Sequence, residues 1–240
     1  MRMRKWVPFA IGLALGSVPG AGHAQSFGMD YGYVGAPMSN FLSSSYLTQQ
    51  VANDLATPEV AQQSPETAAH AEPSPPLIVP LVGSSRMPAR LAEHYPAAQR
   101  LRARALFEQL LNSHAALMQR FGIPPGDLGA AMASLIAGSW MGVHDTAFPD
   151  EHFLPLVNQM RAVIGSQPSF AGSSEAERRD MYDQMAIIGM MLATTQMGLQ
   201  QRPDAATSKN MQAAAAGYLQ QLFKVPAARI AIGEQGVTVR

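Results

Sequence analysis

His144, Asp145, Asp150, Glu151 and His152 crowd into one short stretch and form the densest polar constellation in the chain. Two imidazoles and three carboxylates are the residue types that bind a divalent metal, or that serve as general acid and base in a hydrolytic reaction. Their spacing matches no helical ligand pair of the H-E-x-x-H kind. Acidic side chains also suit the start of a following helix, where unpaired amides carry partial positive charge. A candidate catalytic or metal site is therefore weighed against a solvated capping loop, and the loop is the plainer reading.

Four further residues could carry chemistry. Met181 and Met185 lie one helical turn apart, and thioether sulfur is a soft ligand suited to Cu(I). They also follow an apolar stripe, where methionine is the adaptable filler of helical cores, so packing is the preferred reading. His114 falls seven residues after Phe107 on an apolar face, with no second ligand a turn away, and reads as a hydrogen-bonded core histidine. Asp183 stands among apolar neighbours and needs a partner, for which Arg161 is the expected choice.

The elements that must position these residues are helical. From about Pro96, Phe107, Leu110, Leu111, Leu117, Met118 and Phe121 recur at three- and four-residue steps, until Gly122 and Pro124 stop the pattern. Asp127 can cap the next helix, Leu128 to about Val143, which holds no charged side chain and belongs at the centre of a bundle. Gly129, Ala133 and Ala137 lie on one face with Ala130, Ser134 and Gly138 beside them, and small residues so spaced let neighbouring helices approach closely. A helix starting near Pro155 buries Leu156, Val157, Met160, Val163 and Ile164, and Gly165 ends it. Ser174 and Glu177 form a capping box that launches the longest helix, to about Gln201. A last helix spans about Ala205 to Phe223, and 229–232 with 237–239 alternate weakly, as in a small hairpin. The expected fold is all-α, a single bundle of about five helices with a short C-terminal hairpin.

Ahead of the bundle the composition changes twice. Residues 1–24 carry Arg2, Arg4 and Lys5, an apolar run from Trp6 to Val18, and Gly22-His23-Ala24, the order of a cleaved secretory signal peptide. The run is too short, and too broken by Pro8, Gly12 and Pro19, for a stable membrane span, which needs about 20 apolar residues. Residues 25–90 are rich in Pro, Ser, Ala and Gln and predict a disordered linker. Within it an aromatic stretch (Phe27, Tyr31, Tyr33, Phe41, Tyr46) and the hexad Leu77 to Val82 could dock on the domain or add to a sheet edge, although an inert tether is the plainer expectation. The helical domain is expected over 91–240.

Charge and cysteine narrow the function. Removing 1–24 takes three of 17 basic residues and none of 17 acidic ones, leaving 14 minus 17, or a net charge of minus three. That balance points away from nucleic acid. Arg100, Arg102 and Arg104 form the one basic cluster and read as a solvated helical face. The chain has no cysteine, which excludes thiol nucleophiles, thiolate zinc sites and iron–sulfur ligation.

Taken together, Leu106-Phe107, Phe121-Gly122-Ile123-Pro124, Asp127-Leu128, Ile136-Ala137-Gly138, Gln159-Met160-Arg161 and Tyr182 to Met190 resemble a family of bacterial proteins, many with signal peptides, known only as a domain of unknown function. The resemblance covers roughly 90–240, leaves the linker outside, and places Asp183 where a glutamate is expected. It implies export and a helical domain and adds no reaction. The expected function is a non-enzymatic module in the periplasm or outside the cell that binds a protein or envelope component, with no cofactor. The alternatives are a hydrolase or metal-dependent enzyme at 144–152 and copper handling through methionine. Asp127, Arg161, Ser174, Glu177 and Asp183 are assigned structural roles.

Overall fold

The computed structural model describes residues 77–167, 170 and 172–240. The expected leader, the aromatic stretch 27–46 and the linker as far as residue 76 lie outside them. The described chain is mostly helical: α1 (Met87–Ala92), α2 (Arg100–Arg120), α3 (Leu128–His144), α4 (Phe153–Gly165), α5 (Glu175–Gln201) and α6 (Ala205–Phe223), followed by strands β1 (Ile230–Gly233) and β2 (Gly236–Val239). Single 3₁₀ turns precede α2, α4 and β1.

α3 is the axis of the domain. Asp127 starts it by accepting a hydrogen bond at Oδ1 from the Ala130 amide at 2.9 Å. Asp145, in the left-handed conformation at φ 51°, ends it. Almost every side chain between is buried, because α4, α5 and α6 all pack against this one helix. The small residues divide that work. Gly129 admits α4, where an added Cβ would stand 2.5 Å from the Arg161 side chain. Gly138 meets the Gly189 backbone of α5, and Gly142 faces Ala215 of α6. No other residue has a side chain small enough for such close approach.

The flanking helices follow from their stripes and caps. α2 buries Phe107, Leu110, His114 and Met118 at helical spacing, against α5 and α1. α5 begins with the Ser174/Glu177 capping box, and its middle, Met181 to Leu192, is buried throughout because α2 and α3 both pack on it. Asp204 caps α6 through the Thr207 amide at 2.7 Å, and Lys224 closes that helix in the left-handed region.

The hairpin pairs Ile230 with Val239 and Gly233 with Gly236, leaving Glu234 and Gln235 as the turn. Ile230 and Val237 are buried against the bundle, and Gln159 of α4 bonds the edge of the hairpin. Gln159 accepts from the Val237 amide at 2.7 Å and donates to the Val237 carbonyl at 2.9 Å, standing in for a neighbouring strand.

Residues 77–92, within the segment expected to be a linker, pack on the bundle, in line with the docking alternative for the hexad Leu77 to Val82. Leu77 and Val79 bond the backbone of the α2–α3 loop, through Leu128 N to Leu77 O at 3.0 Å and Val79 N to Gly126 O at 2.9 Å. Val79, Met87 and Leu91 are buried, and Asp180 of α5 binds both Arg86 and Arg90. The prolines that suggested a linker are compatible with this strap, since Pro88 sits in the first turn of α1, where a missing amide costs nothing.

Candidate functional site

Asp127, Asp183 and His114 lie in the core, and each is held by neighbours. Asp127, 1 % exposed, accepts at Oδ2 from Arg161 Nε at 2.8 Å and Nη2 at 2.5 Å while its other oxygen caps α3. Arg161 therefore belongs to Asp127 and not to Asp183, which corrects the expected pairing. Asp183 takes its ion pair one turn back on its own helix, from Arg179 Nε at 2.8 Å. The sequence could not separate these choices, because Arg161 reaches Asp127 only through the packing of α4 on α3. Burial pushes the Asp183 carboxyl above its ordinary value, opposed by Ser85 and Arg179.

His114 is fully buried. Ser134 donates its hydroxyl proton to the Ala130 carbonyl at 2.8 Å, so towards the ring, 3.0 Å away, its oxygen accepts from Nε2–H. Nδ1 is then the acceptor for the Tyr182 hydroxyl at 3.3 Å. Burial lowers the imidazole pKa from 6.5 to about 4, keeping it neutral. The Ser134–His114 contact has the atoms of a nucleophile–base pair, yet Ser134 is 6 % exposed and its proton is committed to the helix backbone. It is a core hydrogen-bond chain linking α2, α3 and α5.

The constellation at 144–152 lies at the surface, where α3 ends and α4 begins. His144, Asp145, Asp150 and Glu151 are exposed and His152 is half-buried. Asp145 accepts from Gln196 Nε2 of α5 at 2.6 Å. Among the described residues no group of three or more His, Asp and Glu side chains is placed to hold a metal ion. The structure adds aromatic rings that were not singled out from sequence. Phe121, Phe153, Phe148, Trp140 and His144 form a continuous row, with successive centroids 4.9, 6.3, 5.8 and 4.6 Å apart. Phe121, Phe148 and Trp140 are only half-buried, Phe153 is buried, and Leu154, next to it in the chain, is 42 % exposed. The signal for this row was present as Trp140, Phe148 and Phe153 bracketing the polar residues, but their convergence with Phe121 needs the α2 terminus to arrive from elsewhere in the chain.

The remaining site residues lie in ordinary structure. Met181 and Met185 are 1 % and 0 % exposed within the core. Ser174 accepts from the Glu177 amide at 3.2 Å, and Glu177 accepts from the Ser174 amide at 2.8 Å. That bonding holds the Glu177 carboxyl below its ordinary value.

Fold and site together define a helical-bundle domain with an N-terminal strap, a C-terminal hairpin and a half-exposed aromatic face. The chain belongs to the family described as Family of unknown function (DUF6683), whose model matches residues 11–240. The match reaches far beyond the 90–240 expected from the resemblance, so the arm ahead of the bundle is part of the family pattern. No curated protein and no solved structure matches the chain.

Proposed function

We propose that the protein is an exported, non-enzymatic binding module in the periplasm or outside the cell, and that its binding face is the row Phe121, Phe153, Phe148, Trp140 and His144. The observation that carries this reading is the row itself. Phe121, Phe148 and Trp140 are half-buried around the buried Phe153, and His144, Asp145, Asp150 and Glu151 of the same segment are exposed, a pairing of apolar and polar groups suited to a protein contact surface. Export is supported by the basic, apolar and small-residue order of residues 1–24 and by the absence of cysteine from the sequence. Among the described residues no helix is long and apolar enough to cross a membrane. The partner is a protein or another component of the cell envelope.

Trp140 supplies the test. The chain has two tryptophans, Trp6 and Trp140, and the first lies in the proposed leader. Fluorescence of the processed protein then reports Trp140 alone. Titration with solubilised fractions of its own envelope is expected to shift that emission, and Phe148→Ala is expected to weaken the response at least tenfold. An unchanged spectrum across all fractions, or a response indifferent to Phe148→Ala, would sink the reading.

A further inference from the structure

α2 begins with a basic stretch, and its other end meets the aromatic row next to the acidic segment between α3 and α4. Its first five residues include Arg100, Arg102 and Arg104, with Leu101 between them 82 % exposed. From Arg86 to Arg104 the chain has five arginines, of which Arg86 and Arg90 are paired with Asp180 and Arg104 with Glu108. Arginine at a helix N-terminus opposes the helix dipole, and no acidic residue occupies the first turn to offset it. Arg100 is oriented by the Tyr95 carbonyl at 3.0 Å and Arg104 by Glu108 at 2.8 Å, so the patch is displayed with defined geometry.

The other end of α2 delivers Phe121 to the aromatic row, 4.9 Å from Phe153. Asp145, Asp150 and Glu151 are exposed there. Between Phe121 and Met160 the sequence has no lysine or arginine, and Arg120 is the one basic side chain at that end of α2 itself. An exposed leucine among arginines and half-buried aromatics near exposed carboxylates are complementary in both charge and apolarity. A helix of 21 residues separates them by about 30 Å, so the two patches cannot meet within one molecule.

We infer that the occupant of the aromatic row is the Arg100–Arg104 end of α2 in a second copy of this chain. The contact is heterologous, head to tail, and each copy keeps one unused patch at either end, so the assembly grows as an open chain or closes as a ring. This rests on the reading of the aromatic row as a binding face, and it supplies the partner for that face.

The test is sedimentation velocity of the protein as the cell produces it. The weight-average mass is expected to at least double with rising concentration. It should fall back when salt is raised from about 50 to about 500 mM, because exposed charges are then screened. R100E/R102E and D150K/E151K are each expected to stay monomeric with unchanged helicity, since all four positions are exposed. Combining the four substitutions in one chain is expected to restore association, because charge complementarity returns with its sign reversed. A wild type that is monomeric at every concentration overturns the inference, as does association that neither variant weakens or that the combined variant fails to recover. If the wild type is monomeric while envelope fractions still shift Trp140 emission, the self-association fails and the binding-face reading stands. If Phe148→Ala alters neither, both fail.

Discussion

Gly138 of α3 and Gly189 of α5 meet backbone against backbone at the centre of the domain. A Cβ on Gly189 would stand 2.5 Å from the Ser134 carbonyl carbon and 2.7 Å from the Leu135 amide nitrogen, contacts no real side chain tolerates. Gly189→Ala is therefore expected to lower stability by about 1–3 kcal/mol or to push the two helices apart. Gly217 of α6 is exposed and faces open space where a Cβ would stand, and Gly217→Ala is expected to raise stability by about 0.5–1 kcal/mol. Urea denaturation midpoints of the two variants must move in opposite directions if the α3–α5 contact depends on the missing side chain.

Neutral His114 makes stability depend on pH. Its pKa in the folded protein is depressed to about 4 from 6.5, so the unfolded chain binds the proton more readily. The stabilisation is complete above about pH 6.5 and is lost as pH falls towards 4, by up to about 3 kcal/mol. His114→Leu should be less stable at neutral pH, since the Tyr182 hydroxyl loses its acceptor, and should show a shallower decline over that interval. Parallel stability–pH curves for the two proteins would contradict the assignment.

Asp127 has two separable duties. Asp127→Asn retains a cap acceptor and loses the charge partner of Arg161, with an expected cost of about 1–2 kcal/mol because Arg161 is partly solvated. Asp127→Ala loses the cap as well, adding about 1 kcal/mol. The difference between them, read from thermal melts at pH 7, is the contribution of the α3 cap. Equal losses would show that the cap contributes nothing.

The strap makes the position of a truncation decisive. A chain beginning at Leu77 keeps all the packed side chains of the strap and is expected to melt with the full-length protein. A chain beginning at Ala97 loses Val79, Met87 and Leu91, each worth roughly 1.5–3 kcal/mol when fully buried, and is expected to melt well below it. Equal melting of the two fragments would mean that the strap adds no stability.

Cuprous ion is expected to leave the melting temperature unchanged. Met181 and Met185 are sealed in the core, and a soft ion reaches their sulfurs only by opening the packing between helices. A rise in melting temperature under reducing conditions would reinstate methionine as a ligand.

Whatever depends on neighbours in the chain was legible in the order of residues. Caps at Asp127 and Ser174, the uncharged stretch after Leu128, and the stripes of α2, α4 and α6 are local signals, since hydrogen bonding at helix ends and 3.6-residue periodicity act over a few residues. The alternation after Arg229 was enough to suggest the hairpin, although its seat on Gln159 was not visible. The partner of each long-range group, by contrast, was set by packing. Asp127 and Arg161 are 34 residues apart and meet because Gly129 lets α4 settle onto α3. The apolar hexad Leu77 to Val82 left docking and an inert tether both open, and Val79 is buried because the loop before α3 offers it a backbone edge. Phe121 joins Phe153, Phe148 and Trp140 because the end of α2 arrives beside the start of α4. Helix-forming signals are local, whereas the choice among several geometrically plausible partners is settled only when whole helices pack.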